Sequence, residues 1–182
     1  MKRTILLTSL LLIFLSSAFA QKKDYFVVFC AKEASYNTLG HAFIMTGKGD
    51  PFTCSMENGD GEAFGLYAGE NASGTCKPKG YDAAKSYLVG QMPGCLFNDI
   101  NTKVSNYLIV RCTFEEYLQV HMEVENWKKK NYELKKQDCV SFVMAIANLF
   151  SSQLSIPSRS GYENLPNQFI LQLKKSNPQI KN

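Results

Sequence analysis

Cys139 and His41 are the residues of this chain whose types and settings fit nucleophilic chemistry. Cys139 follows Gln137-Asp138 and opens an apolar run, residues 139–150, that contains neither glycine nor proline and predicts a buried helix beginning near Asp138. In the first turn of such a helix, unpaired backbone N–H groups and the positive end of the helix dipole favour an anion. The expectation is therefore a thiol whose pKa is lowered. Phe142, Val143 and Ile146 follow Cys139 at spacings of three, four and seven, which gives the helix one face to bury. A cysteine nucleophile needs a base, and histidine is the side chain whose unperturbed pKa lies closest to working pH. The chain has two histidines. His41 follows Gly40 at the start of a β-rich run, where a strand edge can face a helix amino end. His121 falls on the apolar stripe of a long helix and reads as a packed side chain. A third polar group should orient the imidazole, and Thr53, Ser55 and Glu57 lie on the next β-rich run. The competing reading of Cys139 is a core or disulfide-bonded cysteine.

These residues need elements to position them. Residues 25–31 form a continuous apolar run, the pattern of a strand buried on both faces. Residues 41–46 and 52–57, joined by the turn residues of 47–50, read as a hairpin with His41 at its mouth. The stretch 58–80 carries six glycines and reads as a long irregular loop. Residues 82–89 suit a short helix or strand, and 92–95 a turn. Residues 106–112 form a fourth strand that runs into Thr113-Phe114-Glu115-Glu116, a capping box opening a helix to about residue 130 with Phe114, Tyr117, Leu118, His121, Val124 and Trp127 on its stripe. A last helix covers about 165–175, with Pro166 in its first turn. The predicted fold class is α+β: a small antiparallel sheet from strands near 25, 41, 52 and 106, packed against the Cys139 helix, with the helix after Thr113 outside.

Residues 1–20 begin Met1-Lys2-Arg3, continue through an apolar block and end Ala18-Phe19-Ala20, the pattern of a secretory signal peptide. A periplasmic or secreted protein is expected, with residues 21–182 as one domain and no later segment of spanning length. The formal net charge of +4 falls further when Lys2 and Arg3 are removed, too balanced a charge to argue for nucleic acid. The lysines at 128–130 and 135–136 read as a solvated face near a helix end. Neither a metal-ligand set nor a cofactor motif is visible. Of the six cysteines, Cys54 and Cys76 bracket the glycine-rich stretch that a bridge would tie down, and Cys30 ends the apolar run of 25–30, where burial would keep it reduced. If Cys139 is free, at least one other cysteine is unpaired.

Asp138-Cys139-Val140-Ser141-Phe142-Val143 resembles the D-C-S-G-F-V signature at the nucleophile helix of NlpC/P60 papain-like hydrolases. Here the histidine precedes the cysteine, and that inverted order, with Tyr132 and Leu134 upstream of Cys139, resembles the circularly permuted branch that includes the lecithin:retinol acyltransferase-like proteins. The resemblance covers residues 39–57 and 132–150. It implies a permuted papain-like fold and a Cys-His hydrolase or acyltransferase working through a thioester, with Cys139 as nucleophile, His41 as base and Glu57, or alternatively Ser55, as the third residue. The oxyanion would meet the Cys139 N–H, with Gln137 as a second donor. Cell-wall peptide amides and lipid acyl groups are the expected substrate classes, and Phe64, Leu66, Tyr67, Phe97 and Tyr162 read either as an acyl-accepting wall or, each taken singly, as core residues. Two other classes fit the same sequence: an inactive papain-like binding module, and a disulfide-stabilised inhibitor or immunity protein in which Cys139 is bridged.

Overall fold

The computed structural model describes residues 22–36, 39–52, 61–69, 71–72, 75–76, 82–160 and 165–181. Its elements run β1 (Tyr25–Lys32), β2 (His41–Lys48), β3 (Gly61–Ala68), β4 (Asn71–Ala72), β5 (Thr75–Cys76), α1 (Asp82–Val89), β6 (Gly94–Phe97), β7 (Asn106–Cys112), α2 (Phe114–Trp127), α3 (Cys139–Asn148) and α4 (Pro166–Lys175). The fold is α+β. Five strands form an antiparallel sheet in the order β6-β3-β2-β1-β7, and β4 pairs with β5 beside it.

The apolar run of β1 is central and buried on both faces, as its sequence requires. Val27, Phe29 and Ala31 join Ala42, Ile44, Leu66, Leu108 and Val110 in the main core beneath the helices, whereas Phe26, Val28 and Cys30 meet Phe43 and Ile109 on the reverse face. This period-2 division makes every position of β2 and β3 face-specific. Ala42 and Ile44 belong to the helix side, and His41 stacks with Phe43 on the other.

Helix α3 starts where its sequence directs. Asp138 caps it, its Oδ1 accepting the Ser141 N–H at 3.1 Å. Phe142, Val143, Ile146 and Ala147 are buried against the sheet, and Trp127 of α2 meets Phe142 edge-on at 5.6 Å. The capping box of α2 is formed, with the Glu116 N–H donating to Thr113 Oγ1 at 3.2 Å and the Thr113 N–H to Glu116 Oε2 at 2.8 Å. Its buried face follows the expected stripe in part. Val124 and Trp127 are buried, as is Val120, while Phe114 and Leu118 are exposed, because the helix packs its second half on α3 and sets Phe114 and Tyr117 of its first turn against Tyr25 of β1.

Two further expectations are corrected. The strand beside β2 is β3, from within the stretch read as an irregular loop; Phe52 is in a turn and residues 53–60 lie outside the described residues. Likewise 92–95, read as a turn, leads into β6, which pairs Cys95 with Tyr67. The glycines misled because they mark close approach rather than irregularity: a Cβ on Gly94 would lie 2.5 Å from the Lys130 carbonyl oxygen. Among the described residues no helix is long and apolar enough to cross a membrane.

Candidate active site

The site is built where β2, β3 and the amino end of α3 converge. Gly40 precedes His41 with φ +78°, and a Cβ there would meet the Lys32 carbonyl oxygen at 2.8 Å, so the turn into β2 requires glycine. His41 is buried, stacked on Tyr67 with ring centroids 4.1 Å apart. Its Nε2 lies 3.1 Å from Oδ2 of Asp99, a buried carboxylate just after β6. The other carboxylate oxygen accepts the Tyr67 hydroxyl and the Thr102 hydroxyl, each at 2.7 Å. Burial alone would raise the Asp99 pKa. The His41 hydrogen bond and charge, together with the Tyr67 and Thr102 hydroxyls, outweigh burial and hold the carboxyl below its ordinary range.

Gly65 makes this contact sterically possible. It faces Phe43 across β2–β3, and a Cβ on it would fall 1.8 Å from Asp99 Oδ2 and 2.3 Å from His41 Nε2. Any larger residue would occupy the space in which the imidazole meets the carboxylate.

The paired register of β2 and β3 runs from Gly47–Gly61 to Phe43–Gly65, short of His41 and Tyr67. At this end the backbone N–H groups of Ala42 and Val140 favour the ionised form of the Cys139 sulfur. Cys139 is free and only 6 % exposed. Burial pushes its thiol up to about 12 and the Asp138 carboxylate adds to the rise, against the Ala42 N–H, the Arg159 charge and the Val140 N–H. The expected lowering at a helix amino end is thus reversed: this helix end is enclosed, and the carboxylate of its own acidic cap adds to the rise. The resting group is a thiol, so a thiolate forms only as a base removes the proton.

Asp138 is tied from several sides. Its Oδ2 accepts the Lys135 N–H at 2.7 Å and pairs with Arg159 Nη2, while Arg159 Nη1 donates to Ser141 Oγ; the Arg159 and Asp138 side chains are 10 % and 2 % exposed. Lys135 itself holds φ +71°, a left-handed position outside glycine that this network maintains.

Cys139, His41, Tyr67, Thr102 and Tyr132 border one cavity of about 250 Å³. Its walls are largely apolar, from Leu39, Leu66, Ala68, Ala83, Leu134 and Leu165, and Lys32 and Lys135 are its exposed charges. Tyr132 is buried, and its hydroxyl pKa is raised first by that burial and then by charge on Cys139.

Of the residues singled out by sequence, His41 and Cys139 border the same cavity, and Glu57 and Ser55 lie outside the described residues. The carboxylate on His41 is Asp99, which sequence reasoning missed. It stands in a turn fixed by no motif spacing, and its only prior signal was an acid two residues beyond an aromatic strand end. Gln137 donates its side-chain amide to the Asn131 carbonyl at 2.6 Å and does not border the cavity. His121 sits in a separate cluster with Thr46, Glu62 and Tyr117. Leu66 and Tyr67 border the cavity, Leu66 also belonging to the main core, Phe64 packs against His121 and Phe97 against Tyr67, and Tyr162 lies outside the described residues. The bridge expected to close the glycine-rich stretch joins Cys76 to Cys95 instead of Cys54, and Cys30 and Cys112 are buried free thiols. No family model matches the chain, and no curated protein and no solved structure matches it.

Proposed function

We propose that this chain is an exported cysteine hydrolase or acyltransferase on a permuted papain-like, NlpC/P60-type fold, with Cys139 as nucleophile and His41 as base. The observation that carries the reading is that His41, held by the buried Asp99 carboxylate behind it, borders the same cavity as Cys139, with Gly65 leaving room for the contact. Asp99 engages Nε2, so Nδ1 is the nitrogen left to take the Sγ proton as sulfur attacks the substrate carbonyl carbon. The oxyanion forms beside the N–H groups at the start of α3, which have no acceptor within the helix. Protonated His41 then gives its proton to the departing amine or alcohol. Water or another acceptor, deprotonated by His41, releases the acyl group from the thioester and restores the thiol. The apolar walls suit a substrate whose acyl side is apolar, a lipid acyl group or the apolar residue of a cell-wall peptide.

A second reading, a papain-like binding module without activity, is favoured by the depth of Cys139 and its upward-shifted thiol. Turnover decides between them. Purified protein should release alcohol or amine from short acyl esters and acyl-peptide amides; Cys139→Ala should abolish release, and Asp99→Asn should lower kcat by about 10²–10⁴-fold by leaving the imidazole wrongly oriented. Absence of release from all of these by the wild type favours the binding module.

A further inference from the structure

Beside the cavity, the exposed end of α1 carries three consecutive apolar residues: Tyr87 is 61 %, Leu88 83 % and Val89 60 % exposed. Scattered apolar surface is ordinary, but a run of this kind at the tip of a short helix is a mark of contact with another apolar phase. The helix is fixed to the site. Ala83 is a cavity wall residue, and the buried Ser86 hydroxyl oxygen accepts the Leu134 N–H at 3.2 Å. The Lys135 ammonium lies 4.9 Å from the centroid of the Tyr87 ring.

Basic residues flank this tip. The chain beyond α1 is held to the segment after α2 by a reciprocal backbone pair, Met92 N–H to Tyr132 O at 2.8 Å and Tyr132 N–H to Met92 O at 2.7 Å, and by the Asn131 amide on Gln91 at 3.3 Å. The lysines of 128–130 immediately precede that joined segment, Lys130 lying over the Trp127 ring at 4.0 Å, with Lys85 on α1 and Lys32 and Lys135 at the cavity. Glu125 and Glu133, which flank the lysines of 128–130 in sequence, are paired with Lys128 and Lys136. An apolar tip with Lys135 over its Tyr87 ring, Lys85 on the same helix and further lysines on the adjoining segment is complementary to one surface above others, because the tip gains by entering the acyl boundary while the lysines meet phosphate charge.

We propose that the α1 tip, with Lys85, Lys129 and Lys135 around it, docks the protein on an anionic phospholipid bilayer and lays the cavity mouth against it. Docking is independent of the chemistry assigned to Cys139, so Cys139→Ser should dock as the wild type does even if no reaction occurs. The test is co-sedimentation of the full-length mature chain with phosphatidylglycerol-containing vesicles and with phosphatidylcholine vesicles. Sedimentation with the anionic vesicles only, weakening as salt rises, is the expected result. Leu88→Glu, at an exposed position where the fold is indifferent, should weaken it by about tenfold or more. Lys129→Glu should weaken it by about fivefold. Unchanged circular dichroism confirms that both variants fold. Failure to sediment with anionic vesicles, equal sedimentation with both vesicles, or sedimentation unaffected by Leu88→Glu would each overturn the proposal.

Discussion

At the scale of single residues, the two groups proposed to react were legible and their supports were not. Cys139 and His41 announce themselves by side-chain chemistry and by position at the start of a helix and a strand. Asp99 is 58 residues from His41 and belongs to a turn, so no periodicity or spacing singles it out. Gly65 was misleading for a related reason: the absence of a side chain is informative only when its neighbours in space are known. Gly65→Ala should therefore lower kcat by about 10²-fold or more, since a Cβ overlapping both partners forces the imidazole from its carboxylate. Far-ultraviolet circular dichroism should stay near that of the wild type, and a variant with full activity would show that the His41–Asp99 contact is dispensable. The thiol gives a second prediction. With Cys139 pushed up to about 12 by burial, iodoacetamide labelling near pH 6 should be slow and should quicken only as pH climbs well past the roughly 8.5 of a free thiol. Fast labelling at pH 6, located on Cys139 by peptide mass spectrometry, would mean a preformed thiolate.

At the scale of elements, α3 was the most legible part of the chain because cap, first turn and buried face are all encoded within residues 138–150. What anchors its amino end comes from elsewhere. Arg159 lies in a loop, and only the fold brings its guanidinium onto Asp138 and Ser141. Removing one member of a buried ion pair leaves the other charge unmatched, at a cost of about 3–5 kcal/mol. Arg159→Met should lower the thermal midpoint accordingly and should slow the reaction beyond that loss, by loosening the turn that presents Cys139. Arg159→Lys keeps the charge but not the forked contact and should recover only part of both. Equal stability in all three proteins would contradict this account of the helix anchor. The strands show the opposite balance. β1 and β7 declare themselves through continuous apolar runs, whereas β3 and β6 are built around glycines whose missing side chains admit His41, Asp99 and the Lys130 carbonyl.

At the scale of the whole molecule, the α+β class could be read from pattern, while the β3–β6 side of the sheet and the Cys76–Cys95 bridge could not, since cysteine pairing depends on topology. Burial of ionisable groups sets a pH limit on this fold. Cys112 and Cys139 are both pushed up to about 12, mainly by burial, so above the unfolded thiol value of roughly 8.5 the unfolded chain loses protons that the native chain keeps. Stability should fall with rising pH by about 1.4 kcal/mol per unit for each thiol, until about pH 12. Asp99 has the opposite sign: its contribution is present above the unfolded value of roughly 3.9 and is lost as pH drops through its lowered native value. Urea midpoints that stay flat from pH 8 to 11 would contradict the thiol assignment. The most direct test of the central claim is the intact mass of the protein quenched in acid seconds after mixing with an activated acyl ester. The account predicts one acyl group, mapped to Cys139, in the wild type, and little or none in His41→Ala at the same time. Acylation of any other residue, or equal acylation of Cys139 without His41, would contradict it.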